Sequence, residues 1–223
     1  MLAVIGQLLP LAIAGALSSV PIAAVLTLLL GGRGLGPAVL FALGYVVAVF
    51  VLTVGATALL GRVLLVHLPA SGAPALALCE CLLGAAAIAA GWVVFHRPVS
   101  SGPNRWSRLL SSAVGTVRPV VALVVGAVLA FRPKSLLLAS GVGIVLAPAD
   151  LAPVPTAVIL GANAVVMTAT VTGPIVFALV GGDSARTRLE QLRAWLGHNA
   201  RAVTVVVLVL VGAVLVGDGL GRF

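Results

Sequence analysis

At 223 residues, 61% of them hydrophobic and only 8% charged, the chain carries too little polar surface for a soluble globular domain. It reads as an integral membrane protein. Its formal charge of +8 comes almost wholly from Arg scattered between apolar runs, with no aromatic and basic patch, which favours anionic lipid and membrane topology over nucleic acid.

Crossing about 30 Å of hydrocarbon takes roughly 20 apolar residues. Six stretches meet that length: 2–30, 37–60, 74–95, 114–146, 154–180 and 202–220. The expected fold class is therefore an all-α integral membrane protein of six transmembrane helices. The first stretch contains AGALSS, which looks like a small-residue cleavage site, but it has no positive n-region and is too long for an h-region. It is read as a span that stays. Ser18, Ser19 and Pro21 interrupt this span with polar groups and a helix breaker. The two hydroxyls suit either a ligand or back-bonding to their own helix, and Thr27 reads as structural.

In the third stretch Glu80 is the only acid deep in a span. An intramembrane carboxylate points to function, as partner of a cation such as Arg118, Arg132 or Lys134 or as a proton carrier. Hydration at a nearby interface is the plainer reading, because Pro74 lies close by. Cys79 and Cys81 project in different directions on a helix and read as core packing.

A polar loop, HRPVSSGPNRWSR (96–108), separates three spans from three. The expected organisation is a first three-helix repeat (1–96), a cytoplasmic connecting loop (97–113) and a second three-helix repeat (114–223). With an odd number of crossings in each half, a duplication would be an inverted one, the plan of many secondary transporters. Span four holds AFRPKSLLL (130–138), which sets Arg132 and Lys134 around Pro133, followed by Ser135. A proline frees carbonyls that must be satisfied by protein or by a water-lined cavity, and each cation at membrane depth costs about 2.5–3.5 kcal/mol. Either Arg132 and Lys134 form an anion site, one bidentate and one a point charge, or they anchor the helix at an interface by snorkelling.

Proline breaks in spans one and four are the best sequence-level pointer to a transporter binding site. They give a substrate-binding set of Arg132, Pro133, Lys134, Ser135, Ser18, Ser19 and Pro21, with Glu80 and Arg118 as coupling or charge partners.

Span five contains GANAVVMTATVTGP (161–174), whose small residues suit close helix approach. Asn163, Thr168, Thr170 and Thr172 are placed to line a polar path, and Pro174 suggests a kink. The following segment, SARTRLEQLRAWLG (184–197), sets Leu189, Leu192, Trp195 and Leu196 at helical spacing. It is expected to lie on the cytoplasmic membrane surface as an amphipathic connector, with Arg186 and Glu190 as a supporting i,i+4 pair. Arg33, Arg97, Arg105, Arg108, Arg186, Arg188 and Arg193 fall in the odd loops, so the positive-inside rule puts those loops in the cytoplasm and both termini outside.

His67, His96 and His198 stand apart, without the clustered ligands a metal site needs. No Walker loop, nucleophile elbow or carboxylate pair occurs. The reading is of a protein that is not an enzyme, with no cofactor, no metal and no catalytic residues.

The segments ALSSVPIAAVLTLLL and FRPKSLLLASGVG, opening the two halves, resemble the glycopeptidolipid-addressing and sulfolipid-addressing (GAP/SfLAP) family of the lysine-exporter (LysE) superfamily. The resemblance covers nearly the whole chain. It implies a helical transporter in the inner membrane of an actinobacterium, linked to delivery of cell-envelope glycolipids. Ser18, Pro21, Pro133 and Lys134 match the family pattern, whereas relatives often carry a second proline at Ser19 and an Asn-Pro-Lys at 132–134.

Together these point to an exporter or flippase for an anionic envelope lipid or glycolipid, with a proton gradient as the economical energy source. Its other expected partners are membrane lipids, a second copy in a homodimer, or a larger lipid-export complex. Export of a small metabolite or amino acid, and a non-transporting accessory role, are the alternatives.

Overall fold

The computed structural model describes residues 2–32, 34–67, 73–96, 119–146 and 152–221, and these are helical almost throughout. The helices are α1 (Leu2–Ala16), α2 (Ser19–Leu30), α3 (Gly36–His67), α4 (Ala73–His96), α5 (Pro119–Ala130) and α6 (Pro133–Leu146). Pro153–Leu220 follows as one helical stretch, interrupted at Gly182, whose φ of 53° and ψ of −142° suit glycine and little else. That point divides it into α7 (Val154–Gly182) and α8 (Ser184–Leu220).

Among the described residues four helices are long and apolar enough to cross a membrane: 26 residues in α3 from Gly36 to Gly61, 20 in α4 from Ala77 to His96, 29 in α7 and 37 in α8. Two bent pairs have the same apolar character. Gly6–Ala16 meets Ser19–Leu30 at 48°, and Val120–Ala130 meets Pro133–Leu146 at 62°. The protein is thus all-α, with several long apolar helices of the kind that build a multi-span membrane bundle. Large apolar side chains stand exposed around it, among them Leu59, Trp92, Val120, Val154 and Val180, as a lipid-facing surface requires.

Both bends lie where the prolines predict a break, and the prolines act by starting a helix. Pro133 is the first residue of α6, where its missing N–H is one of the donors a helix leaves unused anyway. Pro21 sits in the first turn of α2 for the same reason. Pro174, by contrast, lies inside α7, and the non-helical backbone comes later, at Gly182.

Glycine sets how closely the helices approach. α3 crosses α5 with backbone against backbone: a Cβ on Gly44 would strike the Leu123 carbonyl, and one on Gly126 would strike that of Phe41. α4 crosses α8 in the same manner, where the Gly84 and Gly212 carbonyl oxygens would each stand 2.7 Å from a Cβ on the other glycine. Arg201 lies 5.7 Å above the Phe95 ring, a second tie between α4 and α8. The core gathers Leu11, Val25, Phe41, Tyr45, Leu129, Val142, Val171 and Val207, drawn from seven of the eight helices.

Candidate functional site

Each bend consists of two residues outside the helices. At the first, the Leu17 N–H still donates to the Ile13 carbonyl at 3.0 Å, the Ser18 N–H turns back to the Ala16 carbonyl at 2.8 Å, and Ser18 takes an extended conformation at the start of α2. At the second, the Phe131 N–H donates to Val128 O at 3.1 Å, and the Arg132 carbonyl accepts from the Leu136 N–H at 3.0 Å. The last carbonyls of a broken helix need donors from elsewhere. Those of α1 receive them from the other half of the chain.

Lys134 Nζ donates to the Leu17 carbonyl at 3.1 Å, and Thr170 Oγ1 donates to that of Ala16. A cation at the C-terminal end of α1 also meets the negative end of that helix dipole. The structure therefore brings the two sequence-predicted breaks together, with Ser18 and Ser19 buried beside Leu17 and Lys134 half-buried across from them. Pro21 is fully buried, Ser135 is half-buried and Pro133 is exposed. Arg132 is half-buried and within electrostatic reach of both the Tyr45 phenol and Lys134. Space at Lys134 is small, a cavity of about 10 Å³ shared with Leu83, Ala87, Leu138 and Val211.

Glu80 is buried on α4, on the face that carries Ala77, Gly84, Ala87 and Gly91 against α8. Leu83 and Ala87, the next residues on that side, line the cavity at Lys134. Arg118 lies outside the described residues, as does the connecting loop from 97 onward. Among the described residues no group of three or more His, Cys, Asp or Glu is placed to hold a metal ion.

A sequence profile for Sap, the sulfolipid-1-addressing protein family (SfLAP), matches residues 8–221, a range that includes both bends. The chain belongs to the SfLAP family. No curated protein and no solved structure matches it at a significant level. SfLAP membership makes this a membrane protein of a lipid-addressing family, and it agrees with the sequence reading that the chain is not an enzyme.

Two features of this SfLAP chain escape the sequence. The first is a groove of about 450 Å³ running from Leu17 and Ser19 at the first bend, past Thr170, Gly173 and Phe177 of α7, to Arg188, Leu192 and Trp195 of α8. The amphipathic segment 184–197 forms the outer wall of this groove as the beginning of α8. Leu189 and Leu196 are buried against Ile22 and Leu26 of α2, while Leu192 and Trp195 stay exposed. The spacing of those four side chains is the signal, and it shows an apolar face without saying whether lipid or protein covers it.

The second feature is a groove of about 460 Å³ between α1 and α7, lined by Leu8, Val158 and Asn163 among others. Asn163 is buried. Its Nδ2 donates to Met167 Sδ at 3.2 Å, and its Oδ1 has no hydrogen-bond partner among the described residues. Thr168 and Thr172 bond carbonyls of their own helix, leaving Asn163 and Thr170 as the polar side chains of α7 that line grooves.

Proposed function

We propose that this SfLAP chain is an exporter or flippase for an anionic envelope lipid or glycolipid, working at the meeting point of its two broken helices. The observation that carries the reading is the Lys134 bond to Leu17, which joins the second break to the first and holds two cations at one place in an apolar bundle. The family's name, sulfolipid-1-addressing, supports an anionic lipid, since a sulfate suits Arg132 as a bidentate partner and Lys134 as a point charge. Ser18 and Ser19 would contact the head group from the first half. Glu80 would compete for the cations or carry a coupling proton.

Six spans in two inverted repeats, 1–96 and 114–223 joined by a cytoplasmic loop at 97–113, are the architecture this reading uses. Three contacts support it. α5 of the second half packs on α3 of the first. The counterpart contact, α1 on α7, is made where Gly15 meets Met167. The third helices of the halves cross glycine to glycine, reciprocally, at Gly84 and Gly212, as elements beside a pseudo-two-fold axis would. The Lys134 bond then marks one end state of an alternating-access cycle, and rocking of one half against the other breaks it. In this reading the protein lies in the inner membrane, and the Arg bias of the odd loops supports an orientation with both termini outside.

Mass spectrometry of lipids that stay with the purified protein tests the reading, comparing wild type with an Arg132→Gln, Lys134→Gln double variant of matched thermal stability. The expected result is selective retention of an anionic lipid by wild type and its loss in the variant. Identical, unselective lipid profiles would defeat it and favour export of small solutes or an accessory role.

A further inference from the structure

We infer that the groove between the first bend and the start of α8 binds one acyl chain of an anionic lipid, with the head group on Arg188. The inference rests on the lipid-handling reading above and identifies where the protein receives its lipid from the leaflet on the α8 side. The groove is of chain-binding size, about 450 Å³, and its walls are apolar apart from a few groups. Gly173 keeps the middle open, with no atom within 4 Å of where a Cβ would stand.

Charge selects the occupant. Among the described residues Arg188 is the one charged residue lining the groove. It is exposed, and among the described residues the ion pair of this segment is Arg186 with Glu190, which leaves Arg188 outside it. Trp195 lies exposed on the same wall, the side chain that membrane–water interfaces favour. The length of α8 places this wall at such an interface. Its 37 residues span about 55 Å, well beyond a 30 Å hydrocarbon core, so its first turns reach the head groups.

Two other apolar grooves, between α1 and α7 and between α1 and α8, have no cation in their linings. A cleft of about 600 Å³ on the same segment carries Arg193 and His198, but Glu190 stands in its lining, whereas the groove at Arg188 sets a long apolar lining beside a cation with no acid among its described lining residues. Its inner end is Leu17, whose carbonyl holds Lys134. A lipid seated there lies beside the latch between the two breaks.

Full-length protein in phosphatidylcholine vesicles, doped with either phosphatidylglycerol or phosphatidylcholine bearing a photoactivatable acyl chain, tests this by peptide mapping of the label. Phosphatidylglycerol should label segments 169–177 and 188–196 about fivefold more than phosphatidylcholine, the preference that one interfacial cation gives. Arg188→Gln should remove that excess and leave the phosphatidylcholine level. Ala169→Trp, which fills the groove from its wall, should reduce labelling by both lipids.

Equal labelling by the two lipids in wild type, or an excess that survives Arg188→Gln, would overturn the inference and reduce the groove to ordinary lipid contact. An Arg188-dependent excess in a protein whose retained lipids ignore Arg132→Gln would uphold the groove while defeating the site at the two breaks.

Discussion

One methyl group added at Gly84 tests how α4 and α8 are held together. A Cβ there would stand 2.7 Å from the Gly212 carbonyl oxygen and 2.9 Å from the Val216 nitrogen, where ordinary contact begins at 3.4 Å. The helices must therefore part by about 0.7 Å, because a backbone atom cannot swing aside as a side chain does. Overpacking of this kind costs about 1–3 kcal/mol. Gly217 on α8 is the control: nothing lies within 4 Å of its Cβ position, and a helical Gly→Ala change there gains about 0.5–1 kcal/mol.

At about 2–4 °C per kcal/mol for a chain of this size, Gly84→Ala should lower Tm by roughly 2–12 °C. Gly217→Ala should leave it unchanged or raise it. Scanning fluorimetry of the purified protein in detergent reads both. Because Gly84 and Gly212 meet each other, one separation accommodates both methyls, and the double alanine variant should cost less than the sum of the singles. Equal Tm values for Gly84→Ala and Gly217→Ala would refute the crossing, and strict additivity would refute its reciprocity.

Gly126→Ala should lower Tm and also weaken anionic lipid retention, since it pushes α5 from the Phe41 carbonyl of α3, and α5 leads directly to Arg132. Thr170→Val removes a donor from the Ala16 carbonyl and should cost about 0.5–1.5 kcal/mol by thermal unfolding. Thr27→Val, which loses only a bond to Ala23 of its own helix, should be close to neutral. Asn163→Leu removes a buried amide whose Oδ1 is unpartnered among the described residues, so Tm should hold or rise. A fall in lipid transport at unchanged Tm would then mark Asn163 as part of the lipid path.

The breaks were legible because their causes are local. Proline disfavours a continuing helix, although Pro10 and Pro174 are carried inside α1 and α7, and Pro21 and Pro133 each mark the first turn of a new one. That the two breaks touch is a long-range fact, and no feature of SSVP or FRPK states that Lys134 would serve the Leu17 carbonyl. The amphipathic face at 184–197 was visible as periodicity, but the same periodicity describes a helix on a membrane and one packed on protein. Burial of Leu189 and Leu196 against α2 decides between them for those two residues. Glu80 was conspicuous by its cost in a span, whereas its place on the glycine face of α4 depends on which side meets α8.

In the proposed function the isolated protein moves an anionic lipid through the junction of its two breaks. Translocation of fluorescent phosphatidylglycerol in proteoliposomes, with and without an imposed proton gradient, tests it most directly. Wild type should move the lipid across the bilayer faster than empty vesicles do, and Arg132→Gln, at matched Tm, should slow it to the empty-vesicle rate. Wild type at the empty-vesicle rate under both conditions, or Arg132→Gln as fast as wild type, would contradict it.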